Sequence, residues 1–578
     1  MMVLLKRLVF LLVFQLVAFA NCAIQAQTAG MELAYLQTDR TVYVAGESVF
    51  YKFYLIDSSI KKFSESSKVG YVILRAANLN ASLKIRVKID SGMANGSIVL
   101  PDTLTSGAYQ IVAFTSSMKN FGDENFFHKD IVIANRYDKE LNLKLVSNDS
   151  KDSAITKLRS IEPKLSTDKT VYGIREKVKV SLNNFNSNGN MAVSVFEDPK
   201  ILSTNNSIVE TISETLKAPV KRKLLTGFSV ENKGKILRGI VIDQTTKKSV
   251  SGATVLVSCI DSVPNLQYAI TNANGMFQLL LDNYYNGKEL FLTIKDMPEN
   301  QRWKIEIEDE FAQSEKWSPS LISQNVHKKE FFFKSQDMVY INKSYLLNNK
   351  STEETLSEGA SVCPQLYHCP VRTVYPSEFV PLDSFPEIAV ELLPLVSINK
   401  YNGKYRAQIM NPTTSLVYNY NKEPAIFLDG VFVDDINNII SLGSEQIKKI
   451  DVVYTERIFG DLVFQGVISI ISNSNEISRT TPAIQSIRLK NDTINTGKRF
   501  EIFNPDSIQN KNFPFFKQLL YWNPDIVIND TGTTDFEFYT SDNPANFIIR
   551  VEGISNDGTP YNASTGIHVN NQINTPEK

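Results

Sequence analysis

Alternating apolar and polar positions run through much of the chain and predict a mainly β fold. Between residues 27 and 137 they indicate six strands, near 49–55, 70–75, 83–89, 96–100, 108–115 and 129–134. Successive side chains of a strand point to opposite faces, so this alternation is typical of strands with one buried face. Short strands separated by turn residues predict a β-sandwich.

A stretch of ten residues in this region recurs 129 positions later with six identical residues. Residues 38–47 read TDRTVYVAGE and residues 167–176 read TDKTVYGIRE, and strand-like alternation follows both. Such an offset suits a duplicated domain better than a solenoid repeat. We therefore expect equivalent strands in two sandwiches, with Tyr43 and Tyr172 in equivalent places. Chance similarity between two strands is the alternative.

Asp39 and Asp168 follow the first threonine of each copy. A short carboxylate at the entrance of a strand commonly accepts hydrogen bonds from nearby backbone N–H groups. We therefore interpret both as structural residues, with ligand binding as the alternative.

The repeated motif, T-D-[KR]-x-x-Y followed by Gly and an acidic residue, resembles the opening strand of a macroglobulin-type β-sandwich. The first copy continues in the same pattern with residues 96–102 and 106–111, whereas the second has Arg175 where the first has Gly46. The resemblance implies Ig-like sandwiches at 27–137 and 157–232. The second carries an irregular insertion in which Val209–Leu216 is predicted to make one or two helical turns.

The C-terminal residues 480–578 are also similar to a macroglobulin-type domain. They contain, in order, Trp522 and Pro524, a glycine turn, the strand Asp535–Tyr539 and a final strand that ends at Gly553. α-Macroglobulins trap proteases through a C-G-E-Q thioester. No cysteine of this chain lies in that sequence, so trapping by this chemistry is excluded.

Residues 233–308 resemble a carboxypeptidase regulatory-like β-sandwich. Their motifs are G-x-V-x-D from Gly239, G-A-x-V from Gly252 and T-x-x-x-G-x-F from Thr271, with an Asn-Gly turn. Such modules are structural and binding domains without peptidase chemistry. Residues 309–375 are predicted to be a linker with short strands, one of them at Phe331–Phe333.

Residues 376–475 resemble the plug domain of TonB-dependent outer-membrane receptors and imply a small α+β domain. A strand closes at Asp429-Gly430, short helical segments follow, and strands at Ile447–Val453 and Val467–Ile471 complete the pattern. Ile436, Ile440, Ile450 and Val452 are expected to face inward. The 107 residues after Ile471 do not alternate at barrel length, so we expect a plug-like domain without a barrel of its own.

Residues 1–26 are predicted to be a secretory signal peptide. Lys6 and Arg7 precede a thirteen-residue run, 8–20, in which only Gln15 is polar. Cleavage is expected after Ala20 or Ala26. A lipid anchor at Cys22 is the alternative, although Asn21 is a poor residue before a lipid-modified cysteine. We expect an exported protein, periplasmic or associated with the outer membrane, with no membrane span after cleavage.

Charge and candidate chemistry exclude several functions. The 61 basic and 62 acidic residues give a net charge of −1, which offers no electrostatic case for nucleic acid or anionic membrane. Cys363 and Cys369 are six residues apart and predict a disulfide in an exported protein, with free thiols or a metal site as alternatives. Cys259 is expected to be a buried thiol. The four histidines stand in separate segments, and neither a metal motif nor a G-x-S-x-G elbow is present.

These features predict a non-enzymatic binding or scaffold protein of the cell envelope, with no catalytic residue, metal or cofactor. The expected partners are envelope proteins, for which the plug resemblance implies an outer-membrane barrel, a receptor or a secretion complex. One alternative is a barrel-less accessory component of TonB-dependent uptake. Another is a hydrolase with an unrecognised site.

Overall fold

The structure is a computed structural model that describes residues 31–76, 82–138, 164–183, 189–199, 207–217, 227–282, 285–298, 301–311, 326–346, 369–410, 423–473, 486–495, 500–502, 504–505, 513–528 and 532–571. The chain divides into two compact units. Unit 1 comprises Met1–Asn232, Phe311–Ser351 and Asn495–Lys578. Unit 2 comprises Lys233–Glu310 and Thr352–Ile494. Both are mostly β, as the alternation predicts. The signal peptide and Cys22 lie outside the described residues.

The first sandwich of unit 1 contains all six strands expected from the alternation. Its strands are β1 (Glu32–Thr38), β2 (Val42–Val44), β3 (Ser48–Asp57), β4 (Lys62–Phe63), β5 (Val69–Ala76), β6 (Ser82–Lys88), β7 (Met93–Val99), β8 (Gly107–Thr115) and β9 (Phe127–Ala134). In one sheet β3 pairs with β1, β4 and β7, and the other sheet has the order β2-β9-β8-β5-β6. Apolar side chains from both sheets, among them Tyr35, Phe53 and Ile111, form the core.

The second copy of the motif begins another group of strands in unit 1. It comprises β10 (Lys164–Thr167), β11 (Val171–Tyr172), β12 (Lys177–Asn183) and β13 (Gly189–Glu197). Helix α1 (Ile208–Lys217) follows and confirms the helical turns expected there. Ile208 and Ile212 pack on the core of the first sandwich.

Unit 2 begins with the sandwich that resembles the regulatory-like module. Its strands are β14 (Lys235–Asp243), β15 (Thr254–Cys259), β16 (Gln267–Ile270), β17 (Met276–Leu281), β18 (Leu290–Lys295) and β19 (Trp303–Ile307). One sheet has the order β17-β14-β19, and the other continues from β16-β15-β18 to a late strand, β29 (Ile487–Leu489). Cys259 is a buried thiol, as expected.

The predicted strand at Phe331–Phe333 is wrong. These residues lie in helix α2 (Val326–Leu346), which belongs to unit 1. Phe332, Ser335 and Met338 recur at helical spacing and are buried, whereas Phe333 is exposed. Three adjacent aromatic residues favour a strand locally, but packing along one helix face outweighs that preference.

The α+β part of unit 2 follows the expected order of elements. Its elements are β20 (Arg372–Val374), α3 (Phe385–Leu392), β21 (Val396–Tyr401), β22 (Lys404–Ile409), β23 (Ala425–Leu428), β24 (Val431–Val433), β25 (Ile447–Val453), β26 (Arg457–Phe459), β27 (Leu462–Phe464) and β28 (Val467–Ser472). The main sheet has the order β20-β25-β28-β23-β24. Asp429 and Gly430 join β23 to β24 with φ of 49° and 85°, the positive values that a type I′ hairpin turn requires.

The residues expected to face inward in this domain largely do so. Ile436, Ile450 and Val452 are buried, whereas Ile440 is half-buried and its neighbour Ile439 is buried instead. The domain also packs on the adjacent sandwich, because Leu256 of β15 shares a core with Phe427 and Phe432.

The C-terminal strands do not form a separate sandwich. They are β30 (Leu519–Val527), β31 (Thr534–Tyr539), β32 (Asn546–Ser555) and β33 (Pro560–Val569). They give the sheet orders β10-β12-β31 and β11-β33-β32-β13-β30, and so they complete the second sandwich of unit 1. The expected domains at 157–232 and 480–578 are therefore one discontinuous domain, and β29 belongs to the sheet of unit 2.

The two sandwiches of unit 1 meet through polar contacts that include a buried lysine. The Nζ of Lys52, on β3, contacts the Oδ1 of Asn190 and the carbonyl oxygen of Pro524, and lies 3.3 Å from the Oδ1 of Asp525. The hydroxyl of Tyr35 donates to the Oε2 of Glu552 at 3.2 Å. Burial lowers the pKa of Lys52 to about 8, although Asp525 raises it.

Candidate functional site

The two motif copies form the same hydrogen-bonded turn. The Oδ1 of Asp39 accepts from the Phe50 amide at 2.9 Å and from the Tyr43 hydroxyl at 2.8 Å. In the second copy, the Oδ1 of Asp168 accepts from the Lys179 amide at 2.9 Å and from the Tyr172 hydroxyl at 2.7 Å. Each aspartate therefore ties the entrance of its strand to the next long strand, as the sequence predicts.

The threonines and glutamates of the two copies also have matching roles. The hydroxyls of Thr38 and Thr167 each donate to a carbonyl oxygen two residues on, at 2.7 Å in both copies. Glu47 accepts from the Val44 amide at 2.7 Å, and Glu176 accepts from the Gly173 amide at 2.6 Å.

The short strands that carry the two tyrosines are equivalent as well. β2 pairs in parallel with β9, and β11 pairs in parallel with β33. The placement of Tyr43 and Tyr172 in equivalent strands of two sandwiches is therefore confirmed.

Arg175, where the first copy has Gly46, keeps the backbone conformation of the glycine. Gly46 has φ of 89° and Arg175 has φ of 55°, both in the left-handed region that a side chain disfavours. The Nε of Arg175 lies 2.6 Å from the Oδ1 of Asp542, and its Nη2 lies 2.5 Å from the Oδ2. This two-point contact offsets the strain of the turn.

The two motif copies differ in how deeply their aspartates are buried. Asp39 is fully buried with Arg40, whose Nη1 lies 3.0 Å from its Oδ2 and whose Nη2 lies 2.8 Å from the Oε1 of Glu47. Burial raises the pKa of Asp39 to about 6, against the opposing effect of Arg40. Asp168 is exposed. Desolvation acts to raise its pKa, but the hydrogen bonds from the Tyr172 hydroxyl and the Lys179 amide together hold the pKa below the ordinary value.

A cavity of about 340 Å³ lies against the first copy. Its walls come from the motif turn, from helix α2 and from residues 500–519. Polar contacts hold α2 in place. The Nζ of Lys334 lies 2.8 Å from the Oε1 of Glu197, and the Nδ2 of Asn342 donates to the carbonyl oxygen of Phe516 at 2.5 Å. This cavity is the candidate functional site.

The sequence pattern does not indicate this site. Its position depends on α2, which was predicted to be linker, and on residues 516–519, which join the first copy only through the tertiary fold. The sequence does indicate that Lys52, on the same strand as the cavity residue Phe50, is buried. β3 is apolar on both faces, which indicates a strand covered on both sides and a lysine buried within it.

The described histidine, cysteine and carboxylate side chains do not come together into a metal site. No group of three or more His, Cys, Asp or Glu side chains suited to a metal occurs within the described ranges. His128 lies on β9, His327 on α2 and His568 on β33, whereas His368 lies outside the described residues. Cys363 also lies outside them, so its disulfide with Cys369 stays a prediction. Over the part of the chain that the structure describes, no helix has the length and apolar character needed to span a bilayer.

Comparisons with known proteins give weak likenesses. No family model matches the chain, and no curated protein matches it. Salmonella alpha-2-macroglobulin reacted with methylamine matches 94% of this chain and 40% of its own length, at 9% identity and a TM-score of 0.24. Escherichia coli alpha-2-macroglobulin activated by porcine elastase matches 93% of this chain and 44% of its own, at 9% identity and a TM-score of 0.23.

The Escherichia coli adhesin FdeC matches 45% of this chain at 10% identity and a TM-score of 0.14. The chain thus spans less than half the length of the two macroglobulins. They belong to the family that the T-D-[KR]-x-x-Y motif resembles, but at these TM-scores the likeness carries no argument about fold or function.

Proposed function

We propose that this protein is a non-enzymatic binding or scaffold protein of the cell envelope, and that its α+β domain holds an outer-membrane protein partner. The observation that carries the proposal is a group of exposed large apolar side chains within residues 371–390. Val371 is 63% exposed, Phe379 49%, Val380 78% and Val390 73%. Single exposed apolar residues are ordinary, but several on one small domain are typical of a protein contact.

The local structure explains why these side chains face solvent. Helix α3 buries Phe385, Ile388, Ala389 and Leu392 in the core of its domain and turns Val390 outward. Val371 directly precedes the short strand β20 at the edge of the main sheet, and Val380 follows the helical turn Pro376–Glu378 that comes after this strand. Edge strands and the segments beside them are common sites of protein recognition.

The resemblance to a receptor plug supports the choice of partner, by analogy of domain type. If the partner is a TonB-dependent receptor barrel, the protein is an accessory component of uptake that acts on a barrel in trans. If it is another envelope protein, the protein is a scaffold. The identity of the copurified protein separates these two functions.

Point substitutions test this proposal better than removal of residues 424–471, which carry most of the main sheet of the α+β domain. That deletion would remove Phe427 and Phe432 from the core they share with Leu256 and would unfold the neighbouring sandwich as well. We would purify tagged protein from its native cells after mild crosslinking and compare Val380→Asp and Val390→Asp with Val99→Asp. Val99 lies in unit 1 and is 63% exposed, so it is a matched control.

The expected result is a defined copurifying envelope protein with wild type and Val99→Asp, and its loss with the other two variants. Equal recovery with all four proteins would contradict the proposed surface. Robust turnover of a peptide or glycan by the purified protein, abolished by one Ser, Asp or Glu substitution, would support a hydrolase instead.

A further inference from the structure

The cavity beside the first motif copy is lined by a lysine whose ammonium group has no ion-pair partner among the described residues. Three cationic side chains line it. Arg40 is held by Asp39 and Glu47, and the Nζ of Lys343 lies 2.8 Å from the Oδ1 of Asp102. Lys517 makes no ion pair with any residue that the structure describes.

The charge of Lys517 is only partly compensated, by the ring of Phe515, whose centroid lies 5.5 Å from the Nζ, and by carboxylates beyond ion-pair distance. Burial lowers the pKa of Lys517, and the nearby Glu47 and Glu501 raise it in part. Glu501 also lines the cavity, but it is exposed and more than 4.0 Å from the ammonium, beyond ion-pair distance. An anion that reached Lys517 would therefore recover part of the free energy that burial of the charge costs.

Part of the cavity wall is apolar. Phe50 meets Phe500 edge to face, with ring centroids 5.4 Å apart. Met338 of α2 and Phe516 also line the space. Methionine and aromatic side chains adapt to apolar ligands of varied shape.

From this arrangement we propose that the cavity binds a small ligand that joins one carboxylate to an apolar body, such as a short peptide with a free C-terminus. The carboxylate would pair with Lys517, and the apolar body would lie against Phe50, Met338 and Phe516. The volume of about 340 Å³ is at the small end of the range of ligand pockets, which suits one or two amino-acid residues. The site lies within unit 1 and does not depend on the partner surface proposed for unit 2.

Titration calorimetry with a matched pair of ligands tests the proposal. The full mature chain would be titrated with acetyl-leucyl-phenylalanine and with its C-terminal amide, which has the same apolar groups and no charge. We expect the acid to bind at least about tenfold more tightly, as one charge-assisted hydrogen bond allows. Lys517→Met should remove this preference, and Lys517→Arg should retain most of it.

Two further variants complete the test. Lys88→Met removes an exposed lysine of the same unit and should leave binding unchanged. Glu501→Gln removes a negative charge from the cavity and should tighten binding of the acid. Binding of neither ligand at millimolar concentration would overturn the proposal. Equal binding of acid and amide, or a preference that survives Lys517→Met in a variant folded by circular dichroism, would also overturn it.

Discussion

Replacing Asp39 by alanine should cost far more stability than the same change at Asp168. Both carboxylates accept the same two hydrogen bonds, from a backbone amide and from a tyrosine hydroxyl. The two sites differ in exposure, since Asp39 is fully buried and Asp168 is exposed. The pair therefore compares the same two hydrogen bonds at a buried site, where Asp39 also pairs with Arg40, and at an exposed one.

The magnitudes follow from what each substitution leaves behind. Without Asp39, the Phe50 amide loses its side-chain acceptor inside the protein, and the buried Arg40 keeps Glu47 alone as an anionic partner. An orphaned buried donor costs about 1–3 kcal/mol, and breaking a buried ion pair costs about 3–5 kcal/mol. Because Glu47 still compensates Arg40, we expect a total of about 3–5 kcal/mol. Water can replace Asp168, so about 1 kcal/mol is expected there.

Urea unfolding followed by hydrogen exchange is the assay. A protein with several domains does not unfold in two states, so the exchange of amides in β3 and β12 assigns each loss to its sandwich. We expect Asp39→Ala to release β3 amides at lower urea and Asp168→Ala to change β12 amides only slightly. An equal or larger effect of Asp168→Ala would refute the reasoning.

Three further predictions concern pH, a turn glycine and the cysteine pair. Between about pH 8 and pH 9, the stability of unit 1 should rise by about 1 kcal/mol for each of Lys52 and Lys129, because each has a pKa of about 8 when folded and 10.5 when unfolded, so that the unfolded state binds more protons. This range lies below the pH at which the tyrosines that unit 1 buries would lose their protons in the unfolded state and oppose the rise. Lys52→Met should remove about half of the rise, and wild-type urea midpoints that stay flat from pH 8 to pH 9 would contradict it. Gly430→Ala should lower the melting temperature of unit 2 more than Gly403→Ala. Both glycines have φ of 85°, but a Cβ at Gly430 would lie 2.6 Å from the Asp261 carbonyl oxygen, whereas no atom lies within 4 Å of a Cβ at Gly403. Equal shifts in differential scanning calorimetry would count against the close packing of the Asp429-Gly430 turn. Cys363 and Cys369 should resist alkylation in protein isolated without reductant, and labelling of both thiols would exclude the disulfide.

Local patterns predicted the elements of this protein well, because alternation and turn chemistry act within a few residues. The strands of the first sandwich, helix α1 and the Asp429-Gly430 hairpin are examples. The strand-capping role of Asp39 and Asp168 could also be predicted, since it depends on the backbone of one turn and the next strand.

The remaining features depend on contacts between distant parts of the chain. β13 pairs with β30 and β32, more than 300 residues later, and no local signal reports such a pairing. One indication was available, because residues 157–232 contain too few strands to close a sandwich of their own. Helix α2 and the cavity depend in the same way on packing between separate segments.

The most direct test of the proposed binding function is photo-crosslinking in the native cells. A benzoylphenylalanine placed at Val380 or Val390 should form a discrete adduct with one envelope protein, identified by mass spectrometry, and the same group at Val99 should not. Absence of an adduct from Val380 and Val390, or the same adduct from Val99, would contradict the account.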